Sequence, residues 1–452
     1  MSVPVLPGVF SREIQASFSS PHGVHASWTQ PARTCRAAHG RAVLAKLRRS
    51  RSGAPLGSPV VAYHALTCSA GVVRELTRGV RELPLDRMPG AEKCEPGQPL
   101  RLLSPSGGLE ALAVADPENQ LVRVFARADE GLSAIDATLL RARVRQALSL
   151  RQAFGLSASE TTHRVLHGAG DGLPGFCADV YGQHLVLYVY ARGLLTLGRT
   201  LAGVLQEELG VSGVVLKLRS QDAAQGTVKQ EIVGSEPPER LVVHEGGVPY
   251  EVHLSSGLNV GLFTDMREHR QRLARFARER SVLNLFSYTA SLSVVAARAG
   301  ARQVTSVDLA SGVQSWAREN FRLSGLSPEA HRFETGEVSA YLKKAAREGE
   351  RYDLIIADPP TYSAARASAW SMRKDYPELI GRAAALLPRG GLLWLSANRR
   401  DLPPLPDLAL DALERVQRSA SLLEQGGLPP DYPTLLGQPQ DRYLQVCLLV
   451  MS

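Results

Sequence analysis

The most constraining feature of this 452-residue chain is a run of alternating strand-like and helix-like segments that begins at Ser281. Residues 281–286, 304–308, 353–357 and 392–395 are short and rich in apolar residues, as strands are. Residues 289–300, the segment up to Gly325, and residues 377–387 carry apolar positions at helical spacing. Val313, Trp316, Ala317 and Phe321 mark the apolar stripe of the middle helix, and Gly390-Gly391 closes the last one. A final apolar strand covers 443–451. Strands and helices in this rhythm specify an α/β fold with a doubly wound, mainly parallel sheet, which binds ligands at the carboxyl ends of its strands.

Upstream the pattern changes. Residues 129–235 predict a smaller α+β domain, with helices over 136–154 and 197–209, strands at 185–190 and 213–218, and a linker at 234–238. Residues 58–128 hold short strands at 100–103, 111–114 and 120–126, which predict a small β-barrel. Residues 1–57 have no period and read as a flexible tail. The formal net charge of +8 suggests a nucleic-acid binder. Its distribution does not, because residues 1–57 hold eight basic residues and one acid, Glu13. The body of the chain is therefore nearly neutral. The Arg- and Ser-rich tail suits an organelle transit peptide, a secretory pattern is missing, and the expected location of the body is cytoplasmic. No apolar run reaches the roughly 18–20 residues that span a bilayer, so no membrane partner is expected. The five cysteines form no CxxC pair, and no metal site is expected.

Three strand ends converge on one candidate site. The first runs into Phe286-Ser287-Tyr288-Thr289, a turn whose hydroxyls and amides meet the start of a helix. The second ends on Asp308, suited to accept both hydroxyls of a ribose or to cap a helix. The fourth ends on Asp358-Pro359-Pro360-Thr361-Tyr362, where two prolines make a rigid extended turn. That turn holds an acid for the polar edge of a planar base and a ring to stack on it. Glu337, after a third strand at 331–333, is placed to accept from an adenine amino group or to cap the helix at 338–347. There is no Gly-x-Gly-x-x-Gly turn to receive a pyrophosphate, so the nucleoside cofactor expected is S-adenosylmethionine.

At these residues the chain resembles the large-subunit ribosomal RNA methyltransferases of the RlmI/RlmKL type, which include cytosine-5 and guanine-N7 enzymes. The resemblance is carried by Gly261-Leu-Phe-Thr-Asp-Met-Arg267 with Arg270, Leu283-Asn-Leu-Phe-Ser-Tyr-Thr289, Val304-Thr-Ser-Val-Asp308, Trp316-Ala-Arg-Glu-Asn320 with Gly325-Leu326, and Asp358–Tyr362. Upstream, Asp171-Gly-Leu-Pro-Gly175, Asp179, Tyr181-Gly182, Glu245 and Gly247 match as well. It implies a Rossmann-like methyltransferase domain over 236–452, a central α+β domain over 129–235 and a degenerate PUA-like barrel over 58–128. It implies methylation of an RNA base, with 23S ribosomal RNA as the expected partner and a homodimer left open. The cofactor would lie over Phe286, Ser287, Tyr288, Thr289 and Asp308, with Glu337 and Asp358 as further cofactor-binding residues.

The departures from the family carry information. Ala290-Ser291 replace the usual Gly-Gly and bring two Cβ atoms to a close backbone approach, which suits a non-catalytic RNA-binding relative with a weakened cofactor site. Asn259 stands for Lys, Met266 for Gln and Ala169 for an acid. After strand five the cytosine-5 branch reads Ser-Cys-Ser, where this chain has Ser396-Ala397-Asn398-Arg399-Arg400. Cytosine C5 becomes nucleophilic only after a thiolate adds at C6. Cys447, the one thiol of the catalytic domain, lies mid-strand in an apolar run, which closes the covalent route. Guanine N7 already offers a lone pair and needs alignment alone. Asp358, Pro359 and Pro360 would then position the base, Tyr362 stack on it and Asn398 hold its edge. Arg267, Arg270, Arg366, Arg399 and Arg400, with Arg373 and Lys374, are the expected phosphate contacts. A methyltransferase of a small molecule or a protein on the same fold stays open as a second class.

Overall fold

Seven strands form the C-terminal sheet: β1 (Ser281–Leu285), β2 (Gln303–Asp308), β3 (Arg332–Thr335), β4 (Leu354–Ala357), β5 (Leu392–Asn398), β6 (Ala420–Gly426) and β7 (Leu444–Met451). Their order is β3-β2-β1-β4-β5-β7-β6, with β7 antiparallel to both neighbours and β1–β5 mutually parallel. The computed structural model describes residues 62–156, 161–219, 229–360, 362–365 and 368–452, and only the backbone of 362–365 and 368–370. The tail at 1–57 lies outside the described residues.

A parallel sheet must be covered on both faces, and period two in the strands supplies two apolar faces. Val282, Leu354, Ile356 and Trp394 point into one core, while Leu283, Leu285, Ile355 and Leu393 point into the other. Each such side chain contributes about 1.5–3 kcal/mol by leaving water. The helix expected over 377–387 begins earlier, at Met372, and runs to Ala385 with Pro377 inside it. Its first turns are anchored by buried Met372 and Tyr376, whose hydroxyl donates to the carbonyls of Ala357 (3.1 Å) and Ser396 (2.8 Å) at the ends of β4 and β5. That anchoring outweighs the hydrogen bond a helical proline forfeits.

A five-stranded sheet fills the centre of the chain, in the order Gln230–Gly234, Gly213–Leu218, His184–Val189, Phe176–Tyr181, Thr162–His167. Phe176, Ala178 and Val180 face the helices Ala137–Ala153 and Leu195–Leu209, as Leu185 and Leu187 do. Cys177, Tyr181 and Tyr188 face the other way, into a core shared with the catalytic sheet. The barrel expected over 58–128 is instead an open sheet of His64–Thr67, Pro99–Leu103, Leu109–Asp116, Leu121–Arg127 and Glu82–Pro84, in that order. Its last strand is three residues long and ends on a proline, which has no N–H to extend the ladder.

Buried arginines close the junction between the central and catalytic sheets, which belong to one compact unit. Arg267 forks onto Asp431 with both bonds at 2.7 Å, and Arg270 forks onto Glu245 with both at 2.6 Å. Asp431 also accepts the Arg164 backbone N–H at 3.0 Å, and its carbonyl accepts Arg151 Nη2 at 2.6 Å. Arg151 in turn forks onto Asp171 at 2.6 and 2.7 Å, and Arg164 onto Asp179 at 2.7 and 2.9 Å. Arg267 and Arg270, read from sequence as phosphate contacts, are thereby corrected. Both are buried and neutralised, because paired guanidinium forks in low dielectric have nothing left to offer an RNA backbone. Asp431→Ala is expected to strand the Arg267 charge and lower the unfolding free energy by roughly 3–5 kcal/mol. Denaturant unfolding checks this, with Arg382→Ala at the solvent-exposed Glu378 pair leaving the midpoint unmoved.

Candidate functional site

The turn after β1 is strained in the way ligand-binding turns often are. Phe286, Tyr288 and Ala290 all hold left-handed backbone, with φ of 57°, 48° and 63°, a region that costs an L residue roughly 1–2 kcal/mol. Hydrogen bonds fix it. Ser287 N donates to Val307 O (3.0 Å), Tyr288 N to Asp308 Oδ2 (2.9 Å) and Ala290 N to Ser287 O (2.8 Å). Behind the turn, Thr289 Oγ1 donates to the Gly261 carbonyl at 2.6 Å, and Asn320 Nδ2 donates to the Thr289 carbonyl at 2.9 Å. Gly261 itself has φ 111°, and a Cβ there would lie 2.2 Å from the Trp316 ring. Gly261, Trp316 and Asn320 are thus the brace of the turn.

In front of the turn lies a cavity of about 690 Å³, lined by Phe286, Ser287, Tyr288, Asp308, Glu337, Asp358, Pro359, Pro360 and Asn398. Thr289 is the exception among the expected residues. Its hydroxyl is spent on the scaffold and it does not line the cavity. Of the two Cβ atoms that replace the family's glycines, that of Ala290 is buried in the core, so it costs backbone strain and takes no cavity space. Ser291 does line the cavity. Glu337 serves as helix cap, accepting from Ser339 N (3.0 Å) and Ala340 N (2.7 Å), and the residue also lines the cavity. Asp358 accepts from Ser396 Oγ at 2.6 Å. Burial lifts its carboxyl to about 6, the nearby like charge of Asp265 adds to the rise, and the Ser396 bond opposes it.

A second cavity, of about 820 Å³, opens between the central sheet and the strand ends. Arg164, His167, Cys177, Tyr181, Tyr432 and Tyr443 line it, with Arg399 and Arg400. Asn259, Phe263, Asp265 and Asn398 line both cavities and form the wall between them. Arg399 pairs with Asp401 and Arg400 with Asp441 (3.3 Å). Arg373 and Lys374 are exposed on the Met372–Ala385 helix, and the Tyr362 side chain and Arg366 lie outside the described residues. Cys447 is in the core, opposite Leu395, with burial pushing its thiol up to about 12, and it lines neither cavity. Cys177 corrects the thiol census. It reaches the larger cavity from the central sheet, its thiol pushed up by burial against the pull of Arg164. Asp265 is the other residue whose role was missed. It is buried, its carboxyl is raised by that burial, and it accepts from the Tyr443 hydroxyl at 3.1 Å.

Known proteins share this architecture. The sequence profile of a family described as S-adenosylmethionine-dependent methyltransferase matches residues 191–441. The chain is 30% identical over 370 residues to ribosomal RNA large subunit methyltransferase I of Erwinia tasmaniensis, covering 78% of this chain and 90% of the relative. It is 33% identical over 266 residues to ribosomal RNA large subunit methyltransferase K of Neisseria meningitidis serogroup B, covering 57% of this chain and 73% of the relative. A solved structure described as a methyltransferase complexed with SAH superimposes with a TM-score of 0.77 at 26% identity, over 85% of this chain and 99% of that one.

The Asp358 environment sets a titration with two opposed levers. A carbon-13 NMR titration of its carboxyl is expected to show a midpoint of about 6. Ser396→Ala removes a hydrogen bond to the charged form and moves the midpoint up; Asp265→Asn removes a like charge and moves it down. Because the folded midpoint lies above the ordinary carboxylate value of about 3.9, this group's contribution to stability declines as pH rises from about 4 through 6. Asp358→Asn abolishes that decline.

Proposed function

Because the chain belongs to the S-adenosylmethionine-dependent methyltransferases of the family that includes the large-subunit ribosomal RNA enzymes, we propose that it methylates a base of ribosomal RNA, at a ring nitrogen of the guanine-N7 kind. The observation that carries the choice of base is the end of β5. Ala397 is buried in the core and Asn398 stands on the wall between the two cavities, where the resemblance places a thiol in the cytosine-5 branch. No thiol lines the cofactor cavity among the described residues. The open sheet at 64–127 is the proposed RNA-docking module, in the place of the family's PUA-like domain.

The cavity in front of the strained turn suits S-adenosylmethionine. It offers carboxylates and no pyrophosphate cradle, as a phosphate-free cationic nucleoside requires. Asp308 would accept the ribose hydroxyls, Glu337 the adenine amino group, and Phe286, Ser287 and Tyr288 would form the floor. When bound, the cofactor supplies an electrophilic methyl group on a sulfonium. Asp358 accepts from the polar edge of the base and, ionised above about pH 6, faces the positive charge that passes to the base as the methyl is transferred. Pro359 and Pro360 hold that carboxylate rigidly, and Asn398 orients the base from the shared wall. No proton need be removed from N7, so alignment in a closed site does the work.

One observation favours a second reading: Cys177 on the larger cavity would serve a covalent pyrimidine mechanism. Mass spectrometry of nucleosides from ribosomal RNA treated with the purified protein and S-adenosylmethionine separates the two. The expected product is 7-methylguanosine, with no denaturation-stable adduct on RNA containing 5-fluorocytidine; 5-methylcytidine and an adduct would establish the covalent route. Asp308→Ala is expected to weaken cofactor binding by roughly 10–100-fold in calorimetry, as loss of hydrogen bonds to a charged acceptor does. Asp358→Asn is expected to lower kcat by roughly 10–100-fold with cofactor affinity retained.

A further inference from the structure

We propose that the cavity of about 820 Å³ between the central sheet and the catalytic strand ends is a pocket for one extruded nucleotide, base inward and phosphate at the rim. This deepens the reading of the protein as an RNA base methyltransferase and rests on it. A base stacked and paired in a helix cannot present its reacting atom to a buried methyl donor, so enzymes of this kind draw the nucleotide out into a pocket. The pocket must adjoin the cofactor. Here Asn259, Phe263, Asp265 and Asn398 are one layer of side chains with a cavity on either side. The volume falls within the roughly 300–1,000 Å³ usual for a small-ligand site.

The chemistry of the cavity is graded as a nucleotide is. At the rim are two ion pairs open to water, Arg400–Asp441 and Arg399–Asp401, whose arginine side chains are 56% and 26% exposed and so keep donors free for a phosphate. Inside, the walls are aromatic and the polar groups are fixed. Arg164 lies over the Tyr432 ring, 4.4 Å from its centroid, and is held there by its fork onto Asp179. Asp179 also accepts from Thr264 Oγ1 at 2.9 Å. The third nitrogen of Arg164 lies 3.0 Å from His167 Nδ1. A guanidinium can only donate, so Nδ1 accepts and the imidazole proton sits on Nε2. Burial and the neighbouring arginines Arg164, Arg151 and Arg400 keep the ring from taking a second proton. His167 therefore carries a neutral N–H on Nε2 and lines the cavity, its described hydrogen bonds being those of Nδ1 and of the backbone N–H. That is a donor for a ring carbonyl, and the Tyr432 ring, 4.9 Å away, is a surface for the base.

Cys177 lies on the wall of this cavity and not of the other, so it can be used to fill one without touching the other. In Cys177→Phe the ring occupies the pocket. Calorimetric affinity for S-adenosylmethionine is expected within about twofold of the unmodified protein, and methyl transfer to deproteinised ribosomal RNA is expected to drop at least roughly a hundredfold. His167→Ala should lower kcat/KM for RNA roughly tenfold, with partial recovery in His167→Gln, whose amide can donate from a similar position. Undiminished transfer in a cofactor-binding Cys177→Phe protein overturns the inference. If that variant does not fold, an unchanged kcat/KM in His167→Ala overturns it instead. Failure of the unmodified protein to methylate any ribosomal RNA has a different meaning, for it removes the functional reading beneath the inference.

Discussion

The structure depends on a carboxylate with nothing else to do. Asp431 is fully buried, grips Arg267 with both oxygens and takes the backbone N–H of Arg164, while its own carbonyl holds Arg151. In low dielectric such groups are tolerable only as a complete set. Each of these arginines leads on to the lining of a cavity. Arg267 begins the helix after the wall between the cavities, Arg164 sits in the larger cavity, and Arg151 orders Asp171, which accepts the His167 backbone N–H at 2.6 Å. The two cavities share a wall because this network fixes where one sheet stands against the other.

The same economy governs the turn after β1. Three left-handed residues in five are costly, and the cost is met from outside by Gly261, Trp316 and Asn320 rather than by glycine in the turn itself. The chain therefore holds the turn through its tertiary contacts, and Ala290 is accommodated because its methyl group packs inward.

Much of this was legible in the amino-acid sequence, and what was not has physical reasons. The order of strands and helices from Ser281 onward follows from period, and Phe286, Ser287, Tyr288, Asp308, Glu337 and Asp358 share a cavity because strand ends in such a sheet must. β6 escaped notice because it is an edge strand with exposed Leu422 and Leu423 and no buried alternate face. Arg267 and Arg270 misled because an arginine beside a site looks the same in sequence whether it meets a phosphate or a buried acid. Residues 177, 179 and 181 are readable as one face of a strand, but which face turns toward the catalytic sheet is decided by contacts hundreds of residues away.

Those contacts have a consequence for how the molecule is made. Arg164 meets Asp431 across 267 positions of chain, and the backbone N–H of Arg81 meets Gln438 Oε1 (2.5 Å) across 357. The segment that helps hold both upstream sheets in place is therefore synthesised hundreds of residues after them. At about 5–20 residues per second, the earlier parts wait tens of seconds for it, and closing such long loops is slow in itself. Until then the upstream sheets lack their Asp431 and Gln438 partners, and the joint rests on the shared core and on contacts such as Thr264 with Asp179. A joint of this kind is completed only after the segment at 431–438 has been made, long after the strands it holds.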